Sequence, residues 1–220
     1  MIDLKFQLVY RVLLKCLVEE GSCSYRRLSE ASGLPESVVR EALDYLSVNL
    51  GSVDVTGLVI AAWKRGFNVV DLALEMGWRD LEALCATVFE EAGFRVYRNL
   101  RFKCCGRRFE VDVVAANEGL VLVADCKRWS RARRSKLLEA VEEQRKRAEA
   151  LASVLHSVPL PLKGGRYRVC PLVISLYGVG EKLHEGVPVV SLYELRGFLG
   201  GLEAALPDLR CYPGVKNSLV

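Results

Sequence analysis

Two consecutive apolar segments joined by a short turn constrain the fold of this chain more than any other feature. The first, residues 109–115, is rich in β-branched residues, and the second, residues 120–126, is almost continuously apolar. The second pattern is typical of a strand that is buried on both faces. The segment Asn117-Glu118-Gly119 between them favours a tight turn. We therefore predict two adjacent antiparallel strands in the middle of the sequence.

Charged residues interrupt these strands at particular places. Asp112 lies in the first strand, and Asp125 and Lys127 lie at the end of the second, 13 residues after Asp112. Because side chains alternate along a strand, Asp125 and Lys127 should share one face, with Cys126 on the other. Burying a carboxylate and an ammonium group requires their desolvation. Fold stability gives little reason for such a pair, so the pattern indicates a chemical role.

These residues resemble the catalytic core of the PD-(D/E)xK nuclease superfamily, and most closely its Mrr-type and RecB-type branches. Asp112 matches the first carboxylate, Asp125 the second and Lys127 the lysine of the motif. The resemblance implies an α/β fold, a restriction-endonuclease-like mixed sheet flanked by helices. It also implies that Asp112 and Asp125, with Glu82 and the Cys126 carbonyl, hold one or two Mg²⁺ or Mn²⁺ ions, which prefer oxygen ligands.

Two helical residues extend the resemblance. Glu82 lies near the start of a predicted helix over residues 81–92, where the family carries an acidic residue; alternatively, it is a solvated charge favoured at a helix N-terminus. Gln144 interrupts the apolar stripe of a predicted helix over residues 135–155. The family often has a glutamine there, although a hydrogen-bonded core amide is the alternative. The resemblance implies that Lys127 orients the attacking water or stabilises an oxyanion, and that Gln144 positions Lys127 or the phosphate.

Charge is distributed unevenly along the chain. The net charge is +4, and counting the two segments separately assigns −2 to residues 1–80 and +6 to residues 81–220. A basic excess beside the nuclease-like motif suits a polyanionic partner. We predict that DNA is this partner and that a basic segment after Lys127 contacts its phosphates: Arg128, Arg131, Arg133, Arg134 and Lys136. The later run 145–147 is explained equally well as a solvated helix face.

The N-terminal region resembles a winged helix-turn-helix domain over residues 1–66. Periodicity and capping residues predict helices at 2–20, 25–32 and 35–50, and residues 53–61 are predicted to form a hairpin. Arg40 on the third helix is a candidate nucleic-acid contact. However, the exposed positions of that helix are more acidic than basic, and phosphate neutralisation needs lysine or arginine. A packing or dimerisation module is therefore the alternative.

The remaining sequence completes the predicted organisation. A connecting helix or linker occupies residues 67–79, the nuclease-like domain residues 80–206 and a tail residues 207–220. The eight cysteines include no C-x-x-C pair and have no neighbouring histidine, which argues against a zinc site. There is no apolar run of 18 residues and no signal-peptide pattern, so a soluble cytoplasmic protein is expected. Low glutamine content with abundant charge is typical of a thermophile.

The sequence thus predicts a metal-dependent nuclease that hydrolyses phosphodiester bonds, most simply in DNA. Two alternatives remain open. One is a winged-helix regulatory protein whose nuclease-like domain only binds nucleic acid, and the other is a Holliday-junction resolvase. A homodimer is expected for the nuclease, because cutting both strands commonly uses two active sites.

Overall fold

Residues 3–67, 70–75, 80–129, 133–178 and 182–216 are described by the structure, a computed structural model of the chain. The chain divides into two compact units, residues 1–80 and residues 81–220. Each unit has its own buried apolar residues, so each is described by itself below.

The first unit begins with three helices: α1 Leu4–Glu20, α2 Tyr25–Ser32 and α3 Glu36–Leu46. Their caps follow from the sequence, because the Asp3 and Ser24 side chains accept hydrogen bonds from the backbone N–H groups of Lys5 and Arg27. The inward stripes bury residues including Leu13 and Leu43. The three predicted helices are confirmed, although α3 ends four residues before the expected position.

The predicted hairpin at residues 53–61 is wrong, and with it the wing. Residues 55–64 form helix α4, Val55–Lys64, and residues 3–67 contain no strand. Asp54 begins this helix by accepting a hydrogen bond from the Gly57 N–H at 2.7 Å. Leu58, Val59 and Ala62 are fully buried. Burial of this helical stripe outweighs the strand preference of the β-branched residues around it. A further short helix, α5 Val70–Glu75, follows in the predicted connecting region.

The second unit is built on a mixed seven-stranded sheet. Its strands are β1 Arg95–Cys104, β2 Arg107–Asn117, β3 Leu120–Lys127, β4 Gly165–Ser175, β5 Leu183–His184, β6 Val187–Ser191 and β7 Tyr212–Lys216. The order is β1-β2-β3-β4-β6-β5, and β7 also pairs with β4. The pairs β1–β2 and β2–β3 are antiparallel, whereas β3–β4 and β4–β6 are parallel. The predicted hairpin of β2 and β3 is confirmed.

Helices flank this sheet, which explains the apolar character of its central strands. Helix α6 Leu81–Glu91 packs on β1, β2 and β3, and helix α7 Arg134–Val154 packs on β3 and β4. Helices α8 Leu192–Gly200 and α9 Leu202–Ala205 and a 3₁₀ turn Leu206–Asp208 lie near the C-terminus. The six residues from Leu120 to Asp125 are all buried. A mixed sheet between helices fits a restriction-endonuclease-like fold.

The predicted C-terminal tail, residues 207–220, is wrong over residues 212–216. These residues form β7, which pairs antiparallel with the first half of β4. A disulfide bond joins Cys170 of β4 to Cys211 just before β7. The buried Lys216 side chain donates a hydrogen bond to the Val158 carbonyl. The segment contains a proline and a glycine, which are depleted in strands, so it has no strand signal by itself, and pairing with an open edge of β4 decides its conformation.

Crossing a bilayer places requirements on both the length and the hydropathy of a helix. A spanning helix needs about 20 predominantly apolar residues. Within the part of the chain that the structure describes, no helix meets both requirements.

Candidate active site

The pairing of β2 with β3 brings the two predicted carboxylates together. Val113 lies opposite Ala124, so Asp112 and Asp125 are the next residues toward the end of β3. The Cys126 backbone N–H donates a hydrogen bond to Asp112 Oδ2 at 2.8 Å. Residues opposite each other in an antiparallel pair project from the same face. Asp125 lies on the face that α7 covers, where Arg147 contacts it, and Asp112 is close enough for the charge of Asp125 to act on it.

Asp125 is a buried carboxylate that contacts two cations. Its relative exposure is 2%, and its Oδ2 atom lies 2.8 Å from Lys127 Nζ. Lys127 Nζ also donates to Oδ1 at 3.0 Å. Arg147 on α7 donates to the same Oδ1 atom from Nη1 at 2.9 Å. The Oδ2–Nζ contact lacks hydrogen-bond geometry, so among the described residues Oδ2 has an ionic neighbour and no hydrogen-bond donor.

Gln144 anchors this arrangement from the middle of α7. It is fully buried, and its amide nitrogen donates to the Val123 carbonyl of β3. Its amide oxygen accepts a hydrogen bond from Arg147 Nη1 at 3.1 Å. Gln144 is thus a satisfied buried amide that also supports a charged side chain of the site. The charged side chain that it contacts is Arg147, and its predicted action on Lys127 or the phosphate stays a prediction.

Arg147 is the site residue that sequence reasoning missed. In the sequence it belongs to a basic run with Arg145 and Lys146 that is typical of a solvated helix face. In the structure Arg145 contacts Glu142 and Glu185, and Lys146 contacts Glu142 and Glu143, whereas Arg147 reaches Asp125. A signal was present, because residues three apart share a helix face and Arg147 follows Gln144 by three.

The environment of Asp112 shifts its protonation equilibrium. Burial raises the pKa of Asp112 above its usual value, and the neighbouring Asp125 raises it further. The hydrogen bond from the Cys126 N–H and the charges of Lys127 and Arg147 oppose this shift without cancelling it. The raised pKa means that a proton binds Asp112 more strongly than it binds an exposed aspartate. A cation placed between the two carboxylates would favour the ionised form.

Glu82 lies at the start of α6 and contacts Arg98 of β1. The separation between Glu82 Oε2 and Arg98 Nη2 is 4.0 Å, and both side chains are about one-third exposed, at 33% and 37%. Arg98 pairs with Val113, which by strand alternation points away from the face of Asp112. The structure thus gives Glu82 a basic neighbour, and its predicted role as a metal ligand stays a prediction.

Cys126 separates the two charged residues of β3 and points to the opposite face. A hydrogen bond with the Cys85 thiol of α6, followed by burial, raises the pKa of Cys126 well above its usual value. A thiol in that state is a poor metal ligand, because metals bind the thiolate. The atom of Cys126 that could serve as a metal ligand is therefore its backbone carbonyl oxygen.

The predicted nucleic-acid contacts have different surroundings. Arg128, Arg133, Arg134 and Lys136 are exposed, and Arg131 lies outside the described residues. Trp129 is half-buried and packs against an apolar cluster that includes Leu137 and Val173. Arg40 of the first unit lies over the Tyr25 ring, with 4.0 Å from Cζ to the centroid, and contacts Glu36 at 3.5 Å.

The site has an oxygen donor set that fits a hard divalent cation. Asp112 and Asp125 lie side by side, and Asp125 Oδ2 is buried without a hydrogen-bond donor among the described residues. The Cys126 carbonyl is available on the same strand. No group of three or more histidine, cysteine, aspartate or glutamate side chains suited to a metal occurs in the described ranges. Two carboxylates completed by a carbonyl, water and substrate oxygens suit Mg²⁺ or Mn²⁺.

Comparison with known proteins agrees with this geometry. Residues 73–158 match the Mrr catalytic-domain family, which is described as restriction endonuclease. The match spans the strands of both aspartates, Lys127 and the helix that bears Gln144 and Arg147. The fold, the site and this match together support a restriction-endonuclease-like domain of the PD-(D/E)xK superfamily.

One relative is similar to this chain over nearly the whole of its own length. An uncharacterized protein of Archaeoglobus fulgidus is 30% identical over 135 residues, which are 60% of this chain and 97% of the relative. The chain therefore belongs to the same family as this archaeal protein.

Two crystal structures are also similar. The protein of unknown function AF1548 has 18% identity and a TM-score of 0.35, and covers 49% of this chain and 54% of its own. Protein VC1899 from Vibrio cholerae has 14% identity and a TM-score of 0.38, and covers 93% of this chain and 51% of its own. The chain spans about half the length of each.

Proposed function

We propose that the chain is a metal-dependent nuclease that hydrolyses phosphodiester bonds in DNA. The observation that carries the proposal is the convergence of Asp112, Asp125 and Lys127 at one end of a sheet, within the region that matches restriction endonucleases. A domain that only bound nucleic acid would have no use for two adjacent carboxylates, because they repel phosphate.

Each side chain has a task that follows from its contacts. Asp125 is held by Arg147 and Lys127, so its carboxylate has a defined orientation. Lys127 Nζ has three protons and is partly exposed, which leaves donors for a phosphate oxygen or for the attacking water. Gln144 links the backbone of β3 to Arg147 and fixes the guanidinium over the sheet.

The two aspartates and the Cys126 carbonyl would hold Mg²⁺ or Mn²⁺. Such an ion supplies neutralisation of phosphate charge and a lower pKa for a water molecule. The raised pKa of Asp112 sets the pH requirement for this binding. Protons compete for the carboxylate below its folded-state pKa, so metal binding should weaken as the pH falls through that pKa.

The experiment that tests the function combines metal binding and cleavage. Wild type should bind Mn²⁺ in calorimetry and should cleave duplex DNA in Mg²⁺ or Mn²⁺ but not with a chelator. The Asp112→Asn/Asp125→Asn variant should lose both properties, because it removes two negative charges from the site. Thermal unfolding of each protein checks that the fold persists. Duplex binding without cleavage by wild type in either metal would favour the non-catalytic alternative.

Arg147→Met should raise the affinity for Mn²⁺ by about tenfold at alkaline pH. Arg147 contacts Asp125 Oδ1 at 2.9 Å, so its charge opposes a cation bound to the same carboxylate. Removing a unit charge near a divalent ion changes their interaction by about 1–2 kcal/mol in a partly solvated site. The measurement is calorimetric titration of the intact protein without DNA.

Arg145→Met is the matched control for Arg147→Met. Arg145 lies on the same helix but contacts Glu142 and Glu185, so its removal should leave the metal affinity within about twofold of wild type. If Arg147→Met binds metal no more tightly than wild type, Arg147 supports the carboxylate geometry and does not compete with the ion.

A further inference from the structure

The hairpin of β1 and β2 continues past the part of β2 that pairs with β3. Pairing of β2 with β3 covers residues 113–117, whereas pairing with β1 continues to Cys104 opposite Arg107. Cys105 and Gly106 close the hairpin, with φ of 49° and 75°, as a two-residue turn with positive φ at both positions requires. Residues 107–111 thus pair with β1 alone. We call residues 100–111 the ribbon.

The two faces of the ribbon differ in character. On the inner face the Phe102 and Phe109 rings stack with centroids 5.4 Å apart and join the apolar cluster that contains Leu151 of α7. The alternate residues point outward, and all four are exposed: Arg101, Lys103, Arg108 and Glu110. The inner face therefore attaches the ribbon to the domain and leaves the outer face available to a partner.

The outer face contains a like-charge pair that the fold does not use. Lys103 lies directly opposite Arg108, and both side chains are exposed. Like charges at opposed positions of two strands destabilise the pairing. Arg101 is neutralised by a two-bond contact with Glu110, at 3.0 Å and 3.2 Å. Among the described residues, no ion pair includes Lys103 or Arg108. A polyanion is the partner that would make this pair favourable.

We propose that the outer face of the ribbon binds the phosphate backbone of duplex DNA beside the cleavage site. The proposal rests on the proposed nuclease function, because β2 carries both Arg108 and Asp112. These residues are four positions apart, so their Cα atoms are separated by about 14 Å at 3.4 Å per strand residue. That distance corresponds to roughly four base-pair steps. The ribbon would thus hold the duplex a few base pairs from the phosphate at the carboxylates.

The character of the ribbon favours a duplex over a single strand. Single-strand binding surfaces combine cations with aromatic rings on which bases stack. Here Phe102 is buried, and Phe109 is stacked on it and half-buried. The outer face therefore presents cations without free rings, as backbone contacts require. A two-stranded ribbon also has the dimensions to follow a groove of the duplex.

The test measures DNA binding in full-length Asp125→Asn protein, so that cleavage does not interfere. Lys103→Glu/Arg108→Glu is compared with Arg166→Glu/Arg168→Glu by fluorescence anisotropy on a labelled duplex. Arg166 and Arg168 are exposed on β4, and Arg168 pairs with Leu120 at the end of β3 opposite to Asp125. Both variants change the net charge equally, so only the position differs. Thermal unfolding confirms that each is folded.

The ribbon variant should bind the duplex about tenfold or more weakly, and the slope of log affinity against log salt should fall by about 2, one for each lost phosphate contact. The β4 variant should change affinity by less than about twofold. Equal weakening by both variants would show a net-charge effect and overturn the assignment. The assignment would also be overturned if the ribbon variant bound a single strand of the same sequence more weakly but bound the duplex as tightly as its parent.

A parallel cleavage assay separates this inference from the proposed function. If protein with an intact site cleaves DNA and the ribbon variant binds the duplex as tightly as its parent, the ribbon proposal is wrong and the nuclease assignment stands. If the intact protein neither binds nor cleaves DNA, both are wrong. If it binds but does not cleave, the ribbon comparison still decides the location of the binding surface.

Discussion

Lys127→Met should slow DNA cleavage by about 10²- to 10³-fold, the loss seen when one donor to a transition-state oxyanion is removed. The substitution keeps much of the side-chain volume and removes the ammonium group that contacts Asp125 at 2.8 Å. Arg147 remains as a cationic partner of that carboxylate, so the buried charge stays compensated. The measurement is single-turnover cleavage at saturating Mg²⁺, with the fold checked by thermal unfolding.

Metal binding distinguishes loss of catalysis from loss of the site. Lys127→Met should bind Mn²⁺ at least as well as wild type, because a competing cation has been removed. Lys163→Met is the control for loss of one lysine from an exposed position of the same unit, and it should cleave at the wild-type rate. Full activity of Lys127→Met would remove the lysine from the mechanism. Loss of both metal binding and activity would instead indicate a damaged site.

Removing the Cys170–Cys211 disulfide should lower the free energy of unfolding of the second unit by about 4 kcal/mol. The bond closes a loop with a sequence separation of 41, and the loss of that constraint gives the unfolded chain more conformational freedom. Cys170→Ala/Cys211→Ala adds a smaller effect, because the Cys170 side chain is fully buried. The measurement is urea unfolding followed by circular dichroism.

If the Cys170–Cys211 disulfide causes this stabilisation, the free energy of unfolding must depend on whether the two cysteines are oxidised. Wild type under strong reduction should approach the stability of the double variant, and the variant should not respond to the reductant. Cys105→Ala, which removes an exposed free cysteine, serves as the control and should unfold like wild type in both conditions. Equal stability of oxidised and reduced wild type would contradict the predicted role of the bond.

The parts of the fold with strong local signals were predictable. Helices α1 and α2 have capping residues and apolar stripes of period 3.6, and both lie where expected. The strands β2 and β3 have β-branched residues and a glycine turn, with φ of 71° at Gly119. In these elements the local preference and the tertiary packing agree, so the sequence alone is sufficient to predict their positions.

Two segments show where local reasoning fails. Residues 53–61 contain strand-forming residues and a glycine that is typical of a turn. They nevertheless belong largely to helix α4, because the apolar stripe of that helix is buried in the first unit. Residues 212–216 have no apolar run, yet they form β7 because β4 has an unpaired edge there. Short segments have weak preferences, and their partners are distant in sequence. Cys170 and Cys211 are also far apart in sequence, so local patterns could not predict their pairing.

The sequence by itself determined the chemistry of the candidate site. The spacing of Asp112, Asp125 and Lys127 on two neighbouring strands follows from a hairpin and from the alternation of side chains, both of which are local properties. Only the tertiary structure decided which other charges join them. Arg147 reaches Asp125, and Glu82 contacts Arg98, because the packing of α7 and α6 on the sheet places those helix faces. That packing depends on burial over the whole domain, so no short stretch of sequence encodes it.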